Sequence, residues 1–128
     1  MQTLKVTDAF KAYVLDQLEE LGSVTSRAMF GGVGLYHRDV FFGIIARDVL
    51  YMKVDETNQP DYDRAGMGPF MPYPDRTVRT GTGGSSYYAV PTDVLESAVD
   101  LAAWARRSVA VAERRAAGKV KRGRPGRS

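Results

Sequence analysis

The sequence contains no cysteine and a single histidine, His37. Without thiols, disulfides, thiolate nucleophiles and Cys-ligated zinc are excluded. One histidine, placed in a turn and without a paired-carboxylate signature, leaves little machinery for acid–base or nucleophilic catalysis. No catalytic residue, metal or cofactor is therefore expected, and the chain reads as a non-enzyme. Long apolar runs are also missing. The longest, Val40 to Ala46, falls far short of the ~20 residues a membrane helix needs. The N-terminal "MQTLKVTDAFKAYVL" lacks a basic segment followed by an apolar run, so no secretory signal is expected. A cytoplasmic protein with no membrane partner is the expectation.

One further absence is local. Residues 114–128 contain no acid at all, against seven Lys and Arg, for a charge of +7. Residues 1–113 hold 11 Lys and Arg and 15 Asp and Glu, for a charge of −4. The overall +3 thus hides an acidic body and a basic arm. Such segregation points to a polyanion partner.

What is present fits one domain of 128 residues. Thr7 or Asp8 can cap a helix with apolar Phe10, Tyr13, Val14, Leu18 and Leu21, and Gly22 stops it. From Ser26 the pattern becomes strand-like. "RAMFGGVGLYH", "VFFGIIA" and "VLYMKV" are separated only by Arg38-Asp39 and Arg47-Asp48, which implies hairpins and a three-stranded antiparallel meander. The middle run is apolar on both faces and wants cover on both. Thr57 or Asn58, Pro60 and Gly66 delimit a short helix. "SYYAV" is a further strand. Pro91, Thr92 and Asp93 open a long helix with Val94, Leu95, Ala98, Leu101, Ala102, Trp104, Ala105 and Val109 among its apolar positions, and a bend near Ser97. Periodicity fades after Ala112. The expected class is α+β, an antiparallel β-sheet (meander) packed with N-terminal, short middle and long C-terminal helices. Residues 1–112 are expected to form the domain and 113–128 a basic, disordered tail.

Four segments in order carry a resemblance: Met29-Phe30-Gly31-Gly32-x-Gly34-Leu35-Tyr36, Leu50-Tyr51-x-Lys53-Val54-Asp55, Gly66-x-x-Pro69-Phe70 and Tyr87-Tyr88-x-Val90-Pro91. Together they resemble the N-terminal domain of the TfoX/Sxy proteins over about residues 7–112. The resemblance implies a curved antiparallel sheet flanked by helices and a bacterial regulator. Founding members promote natural competence by assisting the cyclic-AMP receptor protein at some of its promoters. They continue into a helix-hairpin-helix-like region, where this sequence has the basic arm. The resemblance supplies no catalytic residue.

Other motifs have ordinary structural explanations. "MFGGVGLY" and "TGTGGSS" resemble phosphate-binding loops, but strand residues follow each, and neither has the Lys-Ser/Thr of a P-loop. A bend or bulge and a loop are expected instead, with a small-ligand site near Gly31–Gly34, Tyr51 and Lys53 as the alternative. Asp55, Glu56, Asp61 and Asp63 lack calcium-loop spacing and suit helix capping. Trp104 belongs to the core.

The arm carries the one segment with a specific mechanical argument. Arg122-Gly123-Arg124-Pro125 resembles the core of an AT-hook, with Lys121 where the familiar hook has a proline. A·T-rich minor grooves are narrow and strongly negative, which attracts arginine. Glycine keeps the entering backbone slim, and proline keeps it extended. Lys119, Lys121 and Arg127 can reach flanking phosphates. These seven residues are the expected DNA-binding set. The competing expectation is a protein–protein interaction module, homodimeric or otherwise, with a nonspecific basic tail.

Overall fold

The computed structural model describes residues 5–29, 31–70 and 86–122. Helix α1 (Asp8–Gln17) precedes four strands, β1 (Val24–Met29), β2 (Gly32–His37), β3 (Val40–Ala46) and β4 (Val49–Val54). Helix α2 (Gln59–Arg64), strand β5 (Ser86–Ala89), the single turn α3 (Thr92–Leu95) and the long α4 (Ala98–Arg122) complete the chain order. The strands form one antiparallel sheet in the order β1-β2-β3-β4-β5. The fold is α+β, with N-terminal, middle and long C-terminal helices.

The expected meander is longer by one strand. "RAMFGGVGLYH" is a hairpin and not one strand. Met29 pairs with Gly32 across a two-residue turn, and Gly31 takes φ +84° there. That backbone conformation suits a residue without a Cβ. The next two turns are also two-residue hairpins, built from Arg38-Asp39 (φ 50° and 70°) and Arg47-Asp48 (φ 51° and 57°). Positive φ at both central positions matches the right-handed strand twist and usually selects Asn-Gly. Arg-Asp in this conformation carries a steric cost at each residue.

Strand β3 is central and has two working faces. Leu35 pairs with Gly43 and Tyr36 with Phe41, so Phe42 is an extra residue on β3. This bulge turns Phe42 into the core, where it is fully buried, and leaves Phe41 on the opposite face. A Cβ at Gly43 would lie 3.1 Å from the Tyr51 carbonyl, so only glycine fits there without displacing β4.

The core lies between one sheet face and the helices. Val33, Leu35, Phe42, Ile45, Leu50 and Met52 meet Val14 of α1 and Leu18 at its C-cap, Tyr62 of α2 and Leu101, Ala105 and Val109 of α4. The Trp104 ring packs edge-on against Tyr62 at 4.7 Å, but it is half-buried and lies against the core, where its apolar helix face predicts a core residue. Thr7 caps α1, its Oγ accepting from the Phe10 N–H. The expected bend at Ser97 is a break. Its hydroxyl accepts from the Asp100 N–H and starts α4 separately from α3.

Helix α4 also runs further than apolar periodicity indicates: residues 113–122, expected as part of a disordered tail, are helical. Residues 113–117, which follow the buried Ala112, are exposed, yet the helix continues to Arg122. Among the described residues, no helix is long and apolar enough to cross a membrane.

Candidate functional site

The DNA-binding residues expected from sequence divide at the end of α4. Lys119 and Lys121 lie within the helix and Arg122 is its last residue. Gly123, Arg124, Pro125 and Arg127 lie outside the described residues. The first part of the basic arm is thus continuous with the domain's longest helix. An α-helix rises 1.5 Å per residue, so α4 carries the backbone roughly 12 Å beyond Arg114 by Arg122.

Among the described residues, Arg114 makes the hydrogen bonds from α4 to the body that lie furthest along the chain. Its guanidinium donates to the Asp55 carboxylate at 3.1 Å and to Thr57 Oγ at 3.0 Å. Asp55 is itself organised by its loop. It accepts from the Thr57 N–H at 2.8 Å and the Thr57 hydroxyl at 2.6 Å. Partial burial pushes the Asp55 carboxyl up, but the Thr57 bonds and the Arg114 charge outweigh it and hold the group below the ordinary aspartate value. Six residues earlier on α4, Ser108 donates to the Lys53 carbonyl at 2.8 Å, and Asn58 donates to the same oxygen at 3.2 Å. Asn58 also accepts from the Asp55 N–H. These bonds clamp α4 to the end of β4.

Asp61 and Asp63 of this region also make local contacts. Asp61 pairs with Arg64 and Arg107, and Asp63 accepts from Gln59. Asn58 occupies the N-cap of α2 without a capping side-chain bond, its amide being committed to Lys53 and Asp55. No group of three or more His, Asp or Glu among the described residues could hold a metal ion.

Tyr51 and Lys53, suggested as part of a small-ligand site, share the sheet face opposite the core with Gly34. Here the pairing builds an aromatic row across β2 to β5. Tyr36 and Phe41 stack at 5.2 Å, and Phe41 and Tyr87 at 5.7 Å. Arg27 lies 4.8 Å over the Tyr36 ring. Lys53 lies 4.7 Å over the Tyr87 ring and donates to its hydroxyl at 3.3 Å. Burial, with Tyr36 nearby, pushes the Tyr87 hydroxyl up to about 12 despite Arg115. Burial also raises Tyr51, with Arg47 opposing it. A hydroxyl held protonated and capped by an ammonium group suits packing, not proton transfer. The glycines of "MFGGVGLY" serve the β1–β2 turn and the buried strand β2, as a structural explanation predicts. Of "TGTGGSS", residues 80–85 lie outside the described residues.

His37 Nδ1 donates to the Gly22 carbonyl at 2.8 Å, which fixes the ring at the start of the β2–β3 turn. It lines a groove with Arg38, Arg106 and Glu113 above Leu21 and Val109. Two arginines and one carboxylate meet there without a nucleophile–base arrangement.

The described site is therefore a clamped helix carrying positive charge out of an acidic body. The profile of the TfoX N-terminal domain matches residues 16–112, three-quarters of the chain. The chain belongs to the TfoX N-terminal domain family. The match ends at the buried Ala112, two positions before Arg114. In a TfoX N-terminal domain of this form, the basic arm lies beyond the family region. No curated protein matches the chain.

Sequence reasoning missed the Arg114–Asp55 clamp, the Ser108–Lys53 bond and the β1–β2 turn. A seryl residue on an otherwise apolar helix face was the one available signal for the second.

Proposed function

We propose that this TfoX N-terminal domain protein is a non-enzymatic, DNA-associated transcriptional regulator. Its folded body contacts a protein partner or a second copy, and its C-terminal arm binds A·T-rich DNA in the minor groove. The observation that carries this reading is the charge step from −4 to +7 at the point where α4 leaves the body.

The arm's chemistry supports it. Arg122-Gly123-Arg124-Pro125 offers two arginines to a narrow groove floor, with glycine to clear its walls. Lys119, Lys121 and Arg127 add phosphate contacts that raise affinity without adding sequence information. Arg114 does not belong to this set, because Asp55 and Thr57 engage it. The DNA-binding segment therefore starts later than the change in composition, and residues 117–128 contain its charges.

Gel-shift titrations with A·T-rich and G·C-rich duplexes test this function, using the intact chain and a chain ending at residue 116. Loss of binding on truncation, with the fold retained, supports it. Equal binding by both chains would refute it.

A second reading, a protein–protein module with a nonspecific tail, is favoured by the aromatic face of β3. Phe41 and Ile44 are only half-buried there although β3 is the central strand. A protein retained from lysate by the truncated chain after nuclease treatment would favour that reading.

A further inference from the structure

We infer that β1 is a self-pairing edge, through which two copies of this chain join their sheets antiparallel about Ser26. The two sheet edges are treated differently. On β5, the outer side is occupied by 68–70: Ala89 N–H donates to the Gly68 carbonyl at 3.0 Å and Phe70 N–H to the Tyr87 carbonyl at 2.7 Å, with a bridge between Pro69 and Tyr88. Strand β1 has no such cover among the described residues.

The outward groups of β1 follow from the ladder. In an antiparallel pair, residues alternate between those that exchange hydrogen bonds with the neighbour and those that point away. Arg38 N–H donates to the Ser23 carbonyl, so Ser23, Thr25 and Arg27 bond toward β2. Val24, Ser26 and Ala28 therefore direct their N–H and C=O groups out of the sheet. No hydrogen bond from these groups is seen among the described residues.

Edges like this are normally blunted by proline, a bulge, short length or a charge aimed along the edge. Strand β1 is six residues long, contains no proline, and pairs with β2 without a register shift. Its only charged side chain, Arg27, is folded over the Tyr36 ring on the neighbouring strand. Thr25, Arg27 and Ala28 are exposed.

Two-fold symmetry then limits the register. Keeping both core faces on one side requires each residue to meet a partner of its own face. Centring on Ser26 places Ser26 opposite Ser26, Thr25 opposite Arg27, and Val24 opposite Ala28 of the second copy. All three outward residues then become hydrogen-bonding pairs, giving six bonds. Centring on Arg27 would instead oppose two arginines and pair only Ser26 with Ala28 within β1, giving four bonds. The facing side chains are small, so the area buried is modest and the dimer belongs to the weak, transient class. The inference stands independently of DNA binding by the arm, although a dimer would present two arms together.

Sedimentation velocity of the full chain without DNA, from about 10 μM to about 1 mM, tests it. A concentration-dependent shift from monomer to dimer is expected, with slowed hydrogen exchange at the Ser26 amide. Ser26→Pro removes an outward N–H that β2 does not use. It should stay monomeric while its circular dichroism matches the parent. Thr25→Glu places a carboxylate opposite Arg27 of the second copy, twice per dimer, and should tighten association roughly three- to tenfold. A chain that stays monomeric throughout would overturn the inference. So would a dimer with unchanged Ser26 exchange, a folded S26P variant that dimerises like the parent, or a T25E variant with unaltered affinity.

Discussion

Arg114 reaches back 59 residues in sequence to the Asp55 carboxylate. This contact divides α4 into a part that belongs to the domain and a part that leaves it. Upstream, Val111 and Ala112 are buried. Downstream, residues 115–117 are exposed. The pair is partly solvated, with the Arg114 side chain 52% exposed, so R114A should cost only about 1 kcal/mol. D55A should cost more, about 1–2 kcal/mol, because Thr57 also loses its acceptor. Thermal melts of both variants check the order.

The same carboxylate makes a pH prediction. Asp55 has a folded-state pKa below its unfolded value. Its contribution is therefore present above the unfolded pKa and is lost as pH falls through the folded one. Acid titration of stability should show a flatter low-pH decline in D55N than in the parent.

At the alkaline end the sign reverses. Burial raises both Tyr62 and Tyr87 to about 12. Each favours folding while protonated, so its contribution is complete below the ordinary tyrosine value of 10.0 and is lost as pH rises through about 12. Ultraviolet titration of the folded protein should show two tyrosines ionising late, and Y87F should remove one of them.

The strained turns give a paired test. Asp48 accepts from both the N–H (2.8 Å) and the hydroxyl (3.0 Å) of Thr7, which anchors the start of α1 to the β3–β4 turn. D48A should destabilise by about 1–2 kcal/mol, losing these bonds while keeping the unfavourable φ. D39G, at φ 70°, should stabilise by about 0.5–1 kcal/mol, since glycine accepts that conformation freely. Equal effects from the two substitutions would contradict this account of the turns.

The elements legible in the sequence were those with a local chemical cause. Thr7 marks α1, and Pro60 falls in the first turn of α2. Arg38-Asp39 and Arg47-Asp48 mark hairpins because so few polar residues separate the strands. The β1–β2 turn was hidden because "MFGG" sits within an otherwise continuous strand pattern. Helix α4 was cut short because apolar periodicity reports burial, while Ala, Glu, Arg and Lys beyond Ala112 are themselves good helix formers. The α4 clamp was not legible at all. Arg114, Asp55, Ser108 and Lys53 have no sequence relation, and only the packing of α4 across the end of β4 brings them together.

The central claim concerns what the arm does once α4 has left the body. It is tested most directly by equilibrium binding of the intact chain, and of the chain ending at residue 116, to an A·T-rich duplex at about 50 and 200 mM salt. Removal deletes Lys119, Lys121, Arg122, Arg124 and Arg127 but keeps the Arg114 clamp. The intact chain should bind and lose roughly 10²–10³ in affinity across that salt range. The truncated chain should melt like the parent and bind at least about tenfold more weakly at the lower salt. Undiminished binding by a folded truncated chain, with the same salt dependence, would contradict the account.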